Sequence, residues 1–180
     1  MRYKKLITAA LLTALCASIG YMFLYVPNVE FITAGIFISG FFMGPAFGAL
    51  IGMLAEFLFS AFNPYGASAP PLLLAQVISM SLVGFTGGIV RTRYWLGFSK
   101  VHRHIITGFC GLILTLIYDI LTTFSFALFI SGGNSQKLIS IFSTGSVFYL
   151  LHILINTVIF AALVPILLDR LRLLQSRRVQ

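Results

Sequence analysis

Long apolar runs, punctuated by Pro, Gly and short charged stretches, divide the chain into six segments. A membrane-spanning helix needs roughly 20 predominantly apolar residues, and this pattern predicts helices at about 6–26, 29–44, 46–62, 71–90, 105–130 and 145–168. The second and third are short, and Gly44-Pro45 between them leaves room only for a tight turn. The stretch from Ser131 to Thr144 reads as a loop, with Leu138 to Phe142 apolar enough for a short interfacial segment. The expectation is a single integral membrane domain over 1–180, an all-α bundle of six transmembrane helices.

Inside these runs the polar positions are sparse and regular. In the third helix Gly48, Gly52, Glu56 and Ser60 recur every fourth residue and therefore share one face. The fourth helix opens its stripe at Gln76, the fifth carries Thr115, Asp119 and Thr122, and the sixth carries Tyr149, His152 and Asn156. Ionisable groups at membrane depth are costly unless they face the bundle interior or water, which makes each a candidate for function. Each also has a structural reading. Gln76 and Asn156 suit interhelical hydrogen bonds, and Asp119 suits an ion pair with His152. Glu56 has no Lys or Arg at its depth, so it is protonated, held by neighbours or matched by a ligand.

Small residues follow a similar spacing. Ala10 and Ala14 lie one turn apart in the first helix, Gly44, Gly48 and Gly52 run into the third, and Gly84 and Gly88 lie in the fourth. Such spacing lets backbones approach closely, within the chain or against another membrane protein. Between the helices, Pro27-Asn28-Val29-Glu30 combines a stop with two polar side chains, which read as a cap for the second helix or as ligand contacts. Asn63-Pro64-Tyr65-Gly66 is a turn that hangs an aromatic ring over the same side, where it can serve as a lid.

Composition removes the soluble alternatives: 59% of the residues are hydrophobic and 9% are charged. The net charge of +8 comes from basic residues at the start (Arg2, Lys4, Lys5), in a central loop (Arg91, Arg93, Lys100, Arg103) and at the end (Arg170, Arg172, Arg177, Arg178). Six crossings put all of these on one side and leave only Lys137 on the other. The positive-inside rule makes that side, and both termini, cytoplasmic. The charges then act as orientation signals and contacts for the lipid bilayer, and no basic stripe with interleaved aromatics points to nucleic acid. Glu56, Gln76 and His152 fall in the outer half, with Asp119 and Asn156 nearer the middle. The polar groups thus converge toward an outward-facing cavity.

The first run lacks a small-residue cleavage site and is expected to remain as a helix. Cys16 and Cys110 sit within apolar runs and read as packed free thiols. No Gly-Lys-Ser/Thr phosphate loop, His-Glu-x-x-His, Gly-x-Ser-x-Gly or Cys-x-x-Cys occurs. No catalytic residue, metal site or cofactor is therefore expected, and energy for uphill transport would come from a partner or an ion gradient.

The six short-to-medium helices, the Ala10-x-x-x-Ala14 pair, and the series from Pro27-Asn28-Val29-Glu30 through Asn63-Pro64-Tyr65-Gly66 and Gln76 to Gly87-Gly88 resemble the substrate-binding S components of energy-coupling factor (ECF) transporters. That resemblance implies a non-enzymatic subunit in a prokaryotic plasma membrane, taking up a vitamin, vitamin precursor or related micronutrient. It also implies a transmembrane coupling subunit and two ATPase subunits as partners, with Ala10 and Ala14 at the docking surface. The expected ligand contacts are Asn28, Glu30, Glu56, Asn63, Tyr65, Gln76, Asp119, Tyr149, His152 and Asn156. With three acidic residues near the cavity and only Lys137 outside, the charge balance favours a neutral or cationic, partly aromatic ligand stacking on Tyr25, Tyr65 or Tyr149. Two rival classes are a solitary proton-coupled secondary transporter and a non-transport membrane scaffold. The first usually carries an inverted repeat with paired broken helices, and none is visible here.

Overall fold

The computed structural model describes residues 2–26, 28–93 and 97–177, with side chains omitted at 2, 92, 93 and 173–177. Pro27 and Arg178 therefore lie outside the described residues, as do the side chains of Arg2, Arg93 and Arg177. All regular structure among the described residues is helical: α1 Arg2–Met22, α2 Phe31–Met43, α3 Pro45–Ala61, α4 Pro70–Arg93, α5 Lys100–Ser131 and α6 Ser135–Arg177. Four of these, α1, α4, α5 and α6, are long and apolar enough to cross a membrane, and α2 and α3 are shorter apolar helices. The chain is a six-helix membrane bundle, as its apolar pattern predicts.

α2 has 13 residues, about 20 Å of helix against a hydrocarbon core of about 30 Å. Gly44, at φ 91°, makes the turn into α3, a left-handed conformation that glycine adopts without strain. Pro45 then occupies the first turn of α3, where its missing N–H is no loss. This turn packs against Gly88, more than a helical turn short of the end of α4. α4 therefore outreaches it, and the Arg91 guanidinium donates back to the Phe42 carbonyl, one of the carbonyls a helix end leaves without an intrahelical partner.

Glycines weld α2, α3 and α4 together. A methyl group at Gly48 would overlap the Gly84 carbonyl, one at Gly84 the Gly48 carbonyl, one at Gly52 the Met80 carbonyl and one at Gly87 the Phe37 carbonyl. The glycine spacing is thus used inside the chain, except at Gly44, which serves the turn. Ile36, Phe37 and Phe41 of α2 are fully buried among Ile51, Met80 and Val83, and the Phe37 ring meets Phe160 of α6 edge-on at 5.3 Å. Large apolar side chains cover much of the outside, as a lipid-facing surface requires. Cys16 and Cys110 are free thiols.

Several boundaries differ from the sequence-based expectation: α5 starts at Lys100 rather than near 105, and α6 runs on to Arg177 rather than stopping near 168. α1 begins at Arg2 and closes at Met22, with residues 23–26 turning outside it. The larger difference is the expected loop from Ser131 to Thr144, which is mostly helix. Only residues 132–134 separate α5 from α6, with Gly132 left-handed at the end of α5. The Asn134 side chain accepts from the Lys137 N–H and caps α6. The Ser and Thr residues of this stretch return their hydroxyls to carbonyls of their own helix: Ser140 to Gln136, Ser143 to Ile139 and Thr144 to Ser140. Further along, Pro165 interrupts α6 and cannot bond the Ala161 carbonyl. His104 Nδ1 of α5 stands 2.7 Å from that oxygen and supplies the missing donor.

Candidate functional site

The register set by the glycines positions the polar cluster. Gly52 of α3 lies against Met80 of α4, so one turn outward along this antiparallel pair Glu56 emerges beside Gln76. Glu56 is buried to 1% exposure and accepts from Ser60 Oγ at 2.8 Å, the fourth-residue neighbour on its own stripe. Gln76 Nε2 donates to Tyr118 Oη at 3.4 Å. Tyr118 lies within electrostatic reach of Glu56, Glu30 and Asp119, and its ring meets His152 edge-on at 6.1 Å. α3, α4, α5 and α6 thereby contribute to one cluster.

His152 is its hub. Nδ1 is 2.8 Å from Asp119 Oδ1, Nε2 is 3.4 Å from Glu30 Oε2, and the Asn156 amide, one turn along α6, is 3.0 Å from Nε2. Nδ1–H can donate to Asp119, and Nε2 either carries a proton toward Glu30 or, without one, accepts from the Asn156 Nδ2 amide. Asn156 has no exposed surface. Glu30 occupies the N-cap position of α2 but makes no side-chain cap bond there; its carboxylate instead ties the α1–α2 connection to α6.

Five buried polar atoms in this cluster have no hydrogen-bond partner among the described residues: Glu56 Oε2, Gln76 Oε1, Thr115 Oγ1, Asp119 Oδ2 and Asn156 Oδ1. Buried polar groups in folded proteins are nearly always satisfied, and each exception asks for an explanation. Here the exceptions come from four helices, on the faces that carry Glu56, Gln76, Asp119 and Asn156, with Thr115 one turn from Asp119. Four of the five are carbonyl or carboxylate oxygens and the fifth is a hydroxyl, so the cluster is complementary to a molecule rich in donors.

The structure brings Glu30, Glu56, Gln76, Asp119, His152 and Asn156 together. Other expected contacts lie apart. Asn63 uses its side chain to accept from the Tyr65 N–H, which is turn chemistry, and Tyr65 is 71% exposed with its ring 6.0 Å from Tyr25. The Tyr149 hydroxyl folds against Gly145 of its own helix. Asn28 takes a left-handed φ of 60°, which Asn tolerates, and lines with Glu30, Phe23 and Phe59 a cavity of about 130 Å³ at the outer ends of α1 to α3. Larger cavities of about 530 and 520 Å³ flank α1 away from the polar cluster. Ala10 and Ala14 line the second of these, beside Leu54 and Phe57 of α3.

Tyr118 and Thr115 belong to the cluster and are absent from the expected contacts. Their signal was present: Thr115, Tyr118, Asp119 and Thr122 follow the i, i+3, i+4, i+7 spacing of one helical face. Read as Thr115, Asp119 and Thr122, the stripe passes over Tyr118 at i+3.

Comparison with curated proteins finds no match, and neither does comparison with solved structures. A family model does match, over residues 1–172, and its description is ECF-type riboflavin transporter, S component. With six apolar helices around a buried polar cluster, and a match covering nearly the whole chain, this protein belongs to the family of S components of ECF-type riboflavin transporters.

Proposed function

We propose that this chain captures riboflavin from outside the cell and delivers it inward together with a coupling subunit and ATPase partners. The observation that carries the reading is the set of five unpartnered buried polar atoms on α3 to α6. Riboflavin has a flat tricyclic ring with an imide N–H and a polyol tail, so it offers several donors to such a cluster. It is uncharged, in keeping with a site that carries Glu30, Glu56 and Asp119. Tyr25 and Tyr65 stand at the outer surface as stacking groups. The 130 Å³ cavity beside Glu30 is smaller than the roughly 300 Å³ of a small-molecule pocket, so this reading requires the bundle to open around the ligand. Asn28, Asn63 and Tyr149 act in this reading through the outer surface and loop geometry.

Ala10 and Ala14 are exposed on α1 and floor the groove against α3, so a helix of the coupling subunit can approach closely there. The basic helix ends face the cytoplasm and the site faces outward.

The test is riboflavin binding to the purified chain, followed by quenching of flavin fluorescence. Glu56→Gln keeps the side-chain shape and removes its charge; a hydrogen bond to a charged group contributes about 1.5–3 kcal/mol, so affinity should fall about tenfold to hundredfold. Affinity within about twofold of the parent, with folding confirmed, would make Glu56 structural. Uptake in vesicles that persists without ATPase subunits would instead favour the solitary carrier, for which the Glu30–His152–Asp119 chain is the natural proton path.

A further inference from the structure

Two groups contend for one nitrogen of His152, and they ask for opposite protonation states. Nδ1 is 2.8 Å from Asp119 Oδ1 and can hold its proton there in either state. Nε2 is 3.4 Å from Glu30 Oε2, a carboxylate oxygen that accepts, and 3.0 Å from Asn156 Nδ2, an amide nitrogen that donates. A proton on Nε2 serves Glu30 and makes the ring an imidazolium, whereas a bare Nε2 serves the amide. The same choice turns Asn156. With Nδ2 on a bare Nε2, Asn156 Oδ1 is one of the unpartnered buried acceptors; with a proton on Nε2, two donors would oppose each other unless the amide turns its oxygen to the ring. The titratable groups around the ring are Glu30 from the α1–α2 connection and Asp119 and Tyr118 from α5, with Glu56 of α3 in electrostatic reach of Tyr118. α2, which also packs on α6, carries none. Among the described residues no Lys or Arg forms an ion pair with Glu30, Glu56 or Asp119.

We propose that His152 is a proton-operated specificity switch: its neutral form, protonated at Nδ1, offers Asn156 Oδ1 to the ligand, and its imidazolium form withdraws that oxygen and ties Glu30 to α6. The inference rests on the riboflavin reading, in which the ligand brings donors such as the imide N–H. A donor-rich ligand selects the neutral ring, so the Nε2 proton passes to solvent as the ligand binds. Glu30, no longer held by Nε2–H, then remains at the wall of the outer cavity that it lines. Because the free chain holds one proton more than the bound chain, acid opposes binding.

The experiment follows riboflavin affinity of the full chain in detergent by flavin quenching from about pH 5 to about pH 8, with calorimetry in two buffers of different ionisation enthalpy. Affinity should weaken as the pH falls, by up to about tenfold per unit, and calorimetry should find about one proton released per riboflavin bound. His152→Gln keeps a hydrogen-bonding side chain that does not titrate, and its affinity should be flat across the range. A slope that survives in this variant belongs to the carboxylates and overturns the proposal. Nitrogen NMR of the parent chain with isotope-labelled histidine makes the test independent of how the variant folds. Riboflavin should convert the His152 ring from imidazolium to the Nδ1–H form, and a ring unchanged by riboflavin overturns the switch. Parent affinity that is equal at both ends of the range removes the switch and leaves riboflavin as the ligand. Absence of riboflavin binding at both ends removes the function and the switch together.

Discussion

At the residue scale the protein is organised by His152. Its two ring nitrogens meet carboxylates from the α1–α2 connection and from α5, and removing the ring leaves Asp119 buried without its donor. Breaking one partner of a buried ion pair costs about 3–5 kcal/mol, whereas replacing the pair with apolar groups of similar volume is often neutral. His152→Ala should therefore lower stability by about 3 kcal/mol. Asp119→Leu with His152→Leu should recover most of that loss while still binding riboflavin weakly. Denaturation in detergent, read beside flavin quenching, separates the two effects. A double variant with parental affinity would show that the pair only holds the bundle together.

At the element scale, glycines determine how α2, α3 and α4 sit together, and this register delivers Glu56 to Gln76. Gly84→Ala forces a methyl group onto the Gly48 carbonyl, and both atoms belong to helical backbone that cannot swing aside. Overpacking of this kind costs about 1–3 kcal/mol, so thermal unfolding of Gly84→Ala should shift downward. Riboflavin affinity should fall with it, because the register of Glu56 changes. Gly97→Ala is the control, since nothing lies within 4 Å of an added Cβ there; an equal shift in both variants would mean that glycine spacing does not set the packing. The same elements show how much was legible beforehand. Apolar run length placed all six helices, and fourth-residue spacing picked out Glu56. It misread residues 135–144, where Ser and Thr hydroxyls return to helix carbonyls. The Gly132-Gly133-Asn134 stop and cap was the better signal.

For the whole molecule, orientation and partner docking are the testable properties. Cysteines at Ala67, in the α3–α4 connection, and at Lys100, the first residue of α5, lie at opposite ends of the bundle. An impermeant thiol reagent applied to intact cells should label Ala67→Cys and spare Lys100→Cys; the reverse pattern would invert the assigned side of the site. Ala10→Trp or Ala14→Trp should obstruct assembly with the coupling subunit and reduce uptake, while riboflavin affinity stays close to the parent, because Leu54, Phe57 and Leu58 at the groove lie on the face of α3 away from Glu56. Assembly and uptake unchanged by both substitutions would leave the alanines as lipid-facing surface.

Membrane residence, helix number and the gathering of the basic residues at one end of the helices were already written in the chain. They depend on run length and charge, which are local sums over neighbouring residues. The stripes through Glu56, Asp119 and His152 were legible for the same reason, since helical periodicity relates residues of one turn to the next. Of the meetings between stripes, the Asp119–His152 pair was legible and the others were not. That Glu30 reaches His152 rather than capping α2, that Tyr118 joins Gln76, and that Asn63 serves its own turn all depend on how separate helices are rotated and staggered. Rotation and stagger are set by backbone contacts between residues far apart in sequence, such as Gly48 with Gly84 and Gly52 with Met80. No local pattern contains them, so the composition of the cluster became visible only when the helices were packed.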